Sequence, residues 1–177
     1  MHDLIYCQRD IPQNQLRYGL RSSAKTGCGW IAMYNALTLL GETPDPQALV
    51  HALEKQVPLL HGNIGTTCLA PAILLNKWGY RCCTTSDPQQ FQALLHRYPT
   101  AILYFYWRKG LRIGAHFVAL QATEQGIFGY NTYANSSGPD AYGKDLNMFL
   151  REKGYFGCIL TGIAPWISPT TAGEEVS

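Results

Sequence analysis

The stretch of sequence that decides the fold is TGCGWIAMYNALTLLG, residues 26–41. It places a cysteine between two glycines and then continues with residues that are apolar on nearly every face of a helix. Gly41 follows the last apolar residues and is a typical helix stop. A helix without a polar face is buried, so the pattern predicts a central helix that begins near Cys28 and ends at Leu40.

Shorter helices are predicted on the C-terminal side of this segment. Asp45-Pro46 and Asp87-Pro88 each combine an N-cap residue with a proline in the first turn, and an apolar stripe follows each pair. Thr66 and Thr67 offer caps for another helix, which Gly79 ends. The N-terminal half of the chain is therefore predicted to be helical.

The pattern changes to strands after residue 96. Three apolar runs at 101–107, 115–121 and 127–133 are separated by Lys-Gly and Gln-Gly turns, which is typical of an antiparallel meander. A helix over 144–153 and a closing strand over 155–163 complete the pattern. Helices first and strands second predict an α+β fold, with one N-terminal helical lobe and its buried helix packed on a C-terminal antiparallel sheet. We expect residues 1–167 to form a single domain and residues 168–177 a flexible polar tail.

Composition limits the possible partners and compartment. The chain has 177 residues, of which 46% are hydrophobic and 15% charged, enough to bury a core without disulfides. Its net charge of +2 does not favour nucleic-acid binding. The apolar runs are too short to span a bilayer, and the N-terminal residues show no signal peptide. Six unevenly spaced cysteines, two of them adjacent, indicate free thiols, so we expect a cytoplasmic protein unless a leader has been removed.

Cys28 is the first candidate for chemistry. Backbone N–H groups at the start of a helix and the helix dipole favour an anion, so a thiol at this position is expected to ionise more easily than a free one. The flanking glycines would let a substrate backbone approach the sulfur. The alternative is that Cys28 is a small buried side chain at a tight turn.

His116 and Asn131 are the candidate partners of that thiol. His116 begins an otherwise apolar strand, where burying a titratable ring has a desolvation cost that packing does not explain. Asn131 ends the next strand, at a similar height in the sheet, and its amide could orient the ring as the third member of a Cys/His/Asn triad. A core histidine and a turn asparagine are the alternatives, and Asp140 is an acidic substitute for Asn131.

Acyl transfer also requires hydrogen-bond donors for the developing oxyanion. The Cys28 N–H is one, and a side-chain amide upstream would be the other. Gln13, Asn14 and Gln15 all precede Cys28, and we favour Gln15, although each of the three could be a solvated loop residue.

The order Gln, Gly-Cys-Gly at a buried helix, His-Phe-Val on a strand and Asn at the next strand end resembles the papain-like cysteine peptidases. It is most similar to their bacterial branch related to the bacteriocin-processing, double-glycine leader peptidases, over roughly residues 10–163. The resemblance implies Cys28 as nucleophile, His116 as general base and acid, Asn131 as orienter and Gln15 as oxyanion donor. Trp30 stands where many relatives have proline, and thirteen residues separate Gln15 from Cys28, more than the usual interval.

The leading hypothesis is thus a cysteine peptidase that cleaves a peptide or protein substrate without a cofactor or metal. The same triad could serve an acyltransferase, a transglutaminase-like enzyme or a deamidase effector, since these differ in which acceptor reaches the thioester. A module that binds peptides without cleaving them is a further alternative. The thiols and imidazoles do not have the paired spacing typical of a zinc site, and no sequence pattern indicates an oligomeric state.

Overall fold

The computed structural model describes residues 3–12, 15–56 and 66–166. The α-helices in this part of the chain are α1 (Ser23–Thr26), α2 (Cys28–Leu39), α3 (Pro46–Gln56), α4 (Ala70–Lys77), α5 (Pro88–Arg97) and α6 (Leu146–Glu152). The strands are β1 (Arg17–Tyr18), β2 (Arg21–Ser22), β3 (Arg81–Thr85), β4 (Thr100–Lys109), β5 (Arg112–Thr123), β6 (Gly126–Tyr130), β7 (Asp140–Gly143) and β8 (Phe156–Ala164). The predicted tail, 168–177, lies outside the described residues.

The main sheet is antiparallel, with the strand order β3-β8-β4-β5-β6-β7. The meander β4-β5-β6 and the closing strand were predicted, and both are confirmed. The closing strand β8 lies between β4 and the edge strand β3. Strands β3 and β7 were not predicted because β3 is a largely exposed edge strand and β7 has only four residues.

The central helix α2 is confirmed. It begins at Cys28, and its residues from Gly29 to Leu37 are all buried. Gly41 ends it in a left-handed conformation, φ 87°, and donates its N–H to the Thr38 carbonyl. This geometry satisfies carbonyl groups at the end of the helix and explains why a glycine stands there.

The two predicted Asp-Pro caps are also confirmed. The Asp45 carboxylate accepts from the N–H groups of Gln47 and Ala48, and Asp87 accepts from that of Gln89. The threonine cap was wrong, because α4 begins only at Ala70 and has no side-chain cap.

The helices cover both faces of the sheet, whereas the sequence predicted one helical lobe packed on the sheet. Helices α2, α3 and α4 belong to one apolar cluster and helices α5 and α6 to a second. Along β4, Ile102 and Tyr104 belong to the first cluster, and Leu103 and Phe105 to the second. A strand buried on both sides needs a continuous apolar run, which is what residues 101–105 provide.

Candidate active site

Cys28 is the first residue of α2, immediately after the tight junction with α1. The Gly27 N–H donates to the Ser23 carbonyl at 2.8 Å, and the Trp30 indole N–H donates to the Ser23 hydroxyl at 3.0 Å. A Cβ on Gly27 would collide with both the Ser23 carbonyl and the Trp30 ring. The fully buried Trp30 thus fills the corner between the two helices and fixes the position from which the thiol projects.

The half-buried Cys28 thiol is surrounded by backbone donors. Burial is the largest influence on its pKa and raises it, while the N–H groups of Phe117, Gly29 and Cys28 itself act in the opposite direction. The net shift is upward, so the thiol is protonated at neutral pH. The helix start alone predicted a lowered pKa, and that expectation was wrong because desolvation outweighs the backbone donors.

The Phe117 N–H that contacts the Cys28 sulfur belongs to the residue directly after His116 on β5. Strand β6 pairs with β5 only from Ala119 onward, so the adjacent edge of β5 is open at this point. Phe117 packs in the α2 cluster, and His116 lies edge-on to Phe105 on the other face, with the ring centroids 5.9 Å apart. The thiol therefore contacts the backbone of the residue that follows His116, at the open edge of β5, while the imidazole lies on the other face of that strand.

The hydrogen bond of the His116 ring assigns its tautomer. Its Nε2 lies 2.6 Å from the backbone carbonyl oxygen of Asn131. A carbonyl only accepts, so Nε2 carries the proton and Nδ1 holds the free lone pair. Burial lowers the pKa of His116, and the Asn131 carbonyl opposes this with a smaller effect. The resting ring is neutral at pH 7 and has the basic nitrogen that a thiol deprotonation requires.

Asn131 contacts the ring through its backbone, and the expected contact through its side-chain amide is not what the structure has. The residue follows the end of β6 with φ 67°, a left-handed conformation that asparagine tolerates, and this turns its carbonyl toward the ring. Its buried side chain instead accepts the Gln8 N–H at 2.8 Å. The alternative orienter, Asp140, accepts from the Ser136 hydroxyl at 2.6 Å.

The glutamine on the imidazole side of the site is Gln8. Its side chain donates to the Ala24 carbonyl at 3.1 Å and accepts from the Asn131 amide at 3.5 Å, so it connects the helix before the nucleophile to the residue that holds the ring. Gln15 is exposed and lines a different cavity, and Gln13 and Asn14 lie outside the described residues. Gln8 lies twenty residues before Cys28, and no local pattern marks it, because only the folded chain brings it to Asn131.

His116, Gln8 and Asn131 open into a cleft of about 510 Å³. The other residues that line it are Arg9, Phe105, Trp107, Arg108, Lys109, Thr132, Tyr133, Ala134, Lys153 and Tyr155. A volume of this size lies in the range of pockets that bind small ligands and short segments of chain.

Within 3–12, 15–56 and 66–166, no cluster of three or more His, Cys, Asp or Glu side chains is arranged to hold a metal ion. In the same ranges no helix has the length and apolar character needed to cross a bilayer. All six cysteines fall in these ranges as free thiols.

No protein-family model matches the chain, and no curated protein matches it either. Among solved structures, it is similar to the peptidase domain of Streptococcus ComA, described as a bi-functional ABC transporter involved in a quorum-sensing pathway. The match covers 80% of this chain and 93% of that domain, with 15% sequence identity and a TM-score of 0.50. At this identity the likeness is one of fold: the chain has a mixed α/β fold with an antiparallel sheet, similar to that of a peptidase domain.

Proposed function

We propose that the chain is a cysteine peptidase with Cys28 as nucleophile and His116 as general base and acid. One observation carries the proposal: the Cys28 sulfur takes the N–H of the residue next to His116, while the Asn131 carbonyl leaves Nδ1 of that ring as its basic nitrogen. The similarity of the fold to a solved peptidase domain supports the proposal independently of these residues.

The reaction starts from a neutral pair. His116 Nδ1 accepts the thiol proton as the sulfur attacks the substrate carbonyl, so a carbon–sulfur bond forms and the carbonyl electrons move to oxygen. The oxyanion develops beside the N-terminus of α2, where the Cys28 N–H is a donor. The imidazolium then donates its proton to the leaving amine as the carbon–nitrogen bond breaks. Water, deprotonated by the same ring, releases the acyl group and restores the thiol.

Asn131 and Gln8 act on this reaction as positioning residues. The Asn131 carbonyl holds the ring, and its amide ties this carbonyl to Gln8 and through Gln8 to α1. Gln15 remains the predicted second oxyanion donor, but its exposed position in a separate cavity does not favour it. Gln8 lines the His116 cleft and is the better placed of the two.

Covalent labelling tests the proposal. A fluorescent peptidyl acyloxymethyl ketone, which needs an activated thiol and an oxyanion site, should label the wild type at Cys28 and leave Cys28→Ala unlabelled. His116→Ala should slow the labelling by about a hundredfold or more, since general-base catalysis contributes about 10²–10⁴ in rate. Cys158→Ala is the matched control, because burial raises the pKa of that thiol to about 11 and the residue lines a different cavity. Equal labelling of the wild type and Cys28→Ala would refute the proposal.

The masses of the reaction products then distinguish hydrolysis from acyl transfer, deamidation and simple binding. A mixture of unmodified peptides should yield new termini with the mass of one added water, dependent on Cys28. Products joined to an added amine would instead indicate acyl transfer, and conversion of side-chain amides to acids would indicate deamidation. Unchanged peptides that nevertheless bind to the protein would indicate a non-catalytic binding module.

A further inference from the structure

We infer that the cleft on the His116 side of the site takes the leaving segment of the substrate and selects acidic residues there; this inference rests on the proposed function. The chemistry of the reaction determines which part of the substrate, on one side of the scissile bond or the other, occupies this cleft. The ring that donates a proton to the leaving amine must lie beside that nitrogen, so the chain that leaves departs past His116. The described cleft that His116 lines is therefore the one that receives this chain.

The charges around this cleft have one sign. Arg9, Arg108, Lys109 and Lys153 line it, all four are exposed, and no Asp or Glu is among its described lining residues. This is a local excess of four positive charges in a chain whose net charge is only +2. The concentration of cationic side chains at one opening makes carboxylates the complementary groups.

The walls of the cleft strengthen that electrostatic preference. Phe105 stacks on Tyr155 with ring centroids 4.1 Å apart, and Trp107 lies over Gly114, so the lining beneath the cations is aromatic. The ammonium group of Lys153 is held over the Tyr133 ring at 5.8 Å. Charge interactions beside such low-dielectric walls are weakened less by water than those on an open surface.

Three carboxylates line a different opening of the molecule. A larger cavity of about 1040 Å³, beside the N-terminal segment, is lined by Asp3, Asp10 and Asp45 together with Gln15. The two openings thus have opposite charge, and an acidic peptide is attracted to the one that contains His116.

The sequence preference of cleavage tests this inference. A peptide library made from a proteome with chymotrypsin is incubated with the wild-type protein, and the new N-termini are read by mass spectrometry. At the first positions after the cleaved bond, Asp and Glu should exceed Lys and Arg by about two- to fivefold per position, as expected for exposed charge pairs. Raising the salt concentration to about 0.5 M should reduce this excess, because it screens exposed charges.

Two double variants complete the experiment. R108Q/K109Q should lose most of the acidic preference among the peptides that it still cuts. K55Q/K77Q removes the same charge from exposed positions on α3 and α4 and should keep the preference. Cut peptides with no preference, or a preference that R108Q/K109Q leaves unchanged, would overturn the inference alone. An absence of any cut peptide would overturn the proposed function and this inference with it.

Discussion

At the scale of single residues, the protonation states of Cys28 and His116 determine how the proposed site would work. Burial dominates at both: it raises the pKa of the thiol and lowers that of the imidazole, so each group favours its neutral form. In the proposed mechanism the proton therefore starts on sulfur and moves to Nδ1 during attack. This differs from a site in which a thiolate and an imidazolium are already present.

These shifts predict a broad pH profile of kcat/KM. The active form needs neutral His116 and protonated Cys28. The midpoint of the acid limb of the profile should lie below pH 6.5, the ordinary histidine value, because the imidazole pKa is lowered. The midpoint of the alkaline limb should lie above pH 9.0, the ordinary thiol value, because the thiol pKa is raised. The rate at which iodoacetamide alkylates Cys28 should increase with pH up to and beyond pH 9. Full alkylation rates maintained down to about pH 5 would contradict this, since they require a thiolate at that pH.

The hydrogen bond from the ring to the Asn131 backbone makes a second prediction. Asn131→Gly keeps the carbonyl and tolerates φ 67°, so kcat/KM should remain within about tenfold of the wild type. Loss of a side chain that orients the histidine lowers activity far more, by about 10⁴ in kcat in one well-studied triad. Without the bond to Gln8, the free energy of unfolding should fall by about 1 kcal/mol, measured by urea titration. A drop in kcat/KM near 10³ with an intact fold would show that the side chain is the orienter.

At the scale of elements, the junction of α1 and α2 sets the position of the thiol. Gly27 packs against the Ser23 carbonyl and the Trp30 indole with no space for a Cβ. Gly27→Ala should therefore separate the two helices and lower the free energy of unfolding by about 1–3 kcal/mol, as overpacking does. Activity should fall with it, because the start of α2 carries Cys28.

Gly138→Ala is the matched control for that substitution. A Cβ at Gly138 would meet nothing within 4 Å, and the residue does not have a positive φ. Its urea midpoint should match that of the wild type. Equal destabilisation by the two substitutions would show that the packing at the α1–α2 junction is not what makes Gly27 necessary.

Local signals explain which elements could be predicted from the sequence. The Asp45 and Asp87 caps and the Gly41 stop act over a few residues, so the helices that they delimit were found. Strand β3 contains two adjacent cysteines on an exposed edge and has no apolar alternation, so it was missed. The proposed site shows the same limit. The local sequence around Cys28 and His116 made them candidates, but Gln8 became one only because the fold brings it to Asn131.

At the scale of the whole molecule, the sheet separates two apolar clusters, and the proposed site lies at an open strand edge between them. The sequence indicated one helical lobe because a pattern along the chain shows which face of a helix is apolar and not which side of a sheet it covers. The insertion of β8 between β3 and β4 is a long-range pairing with no local signal. The low overall charge likewise concealed the basic cleft, because charges cluster there only after folding.

The six free thiols predict that the fold does not depend on oxidation. Titration with Ellman's reagent in denaturant should count all six thiols of the chain, and the melting temperature should be the same with and without dithiothreitol. In the native protein the exposed Cys83 should react before Cys82 and Cys158, whose pKa values burial raises to about 11. A melting temperature that falls on reduction would show a disulfide that the described fold does not contain.

The central claim is that the thiol of Cys28 and Nδ1 of His116 act as a pair. The most direct measurement is a crystal structure of the wild type reacted with a peptidyl aldehyde. The account predicts a hemithioacetal on Cys28, His116 Nδ1 within about 4 Å of the sulfur, and Nε2 on the Asn131 carbonyl. An unreacted Cys28, or an imidazole whose Nδ1 points away from the sulfur, would contradict it.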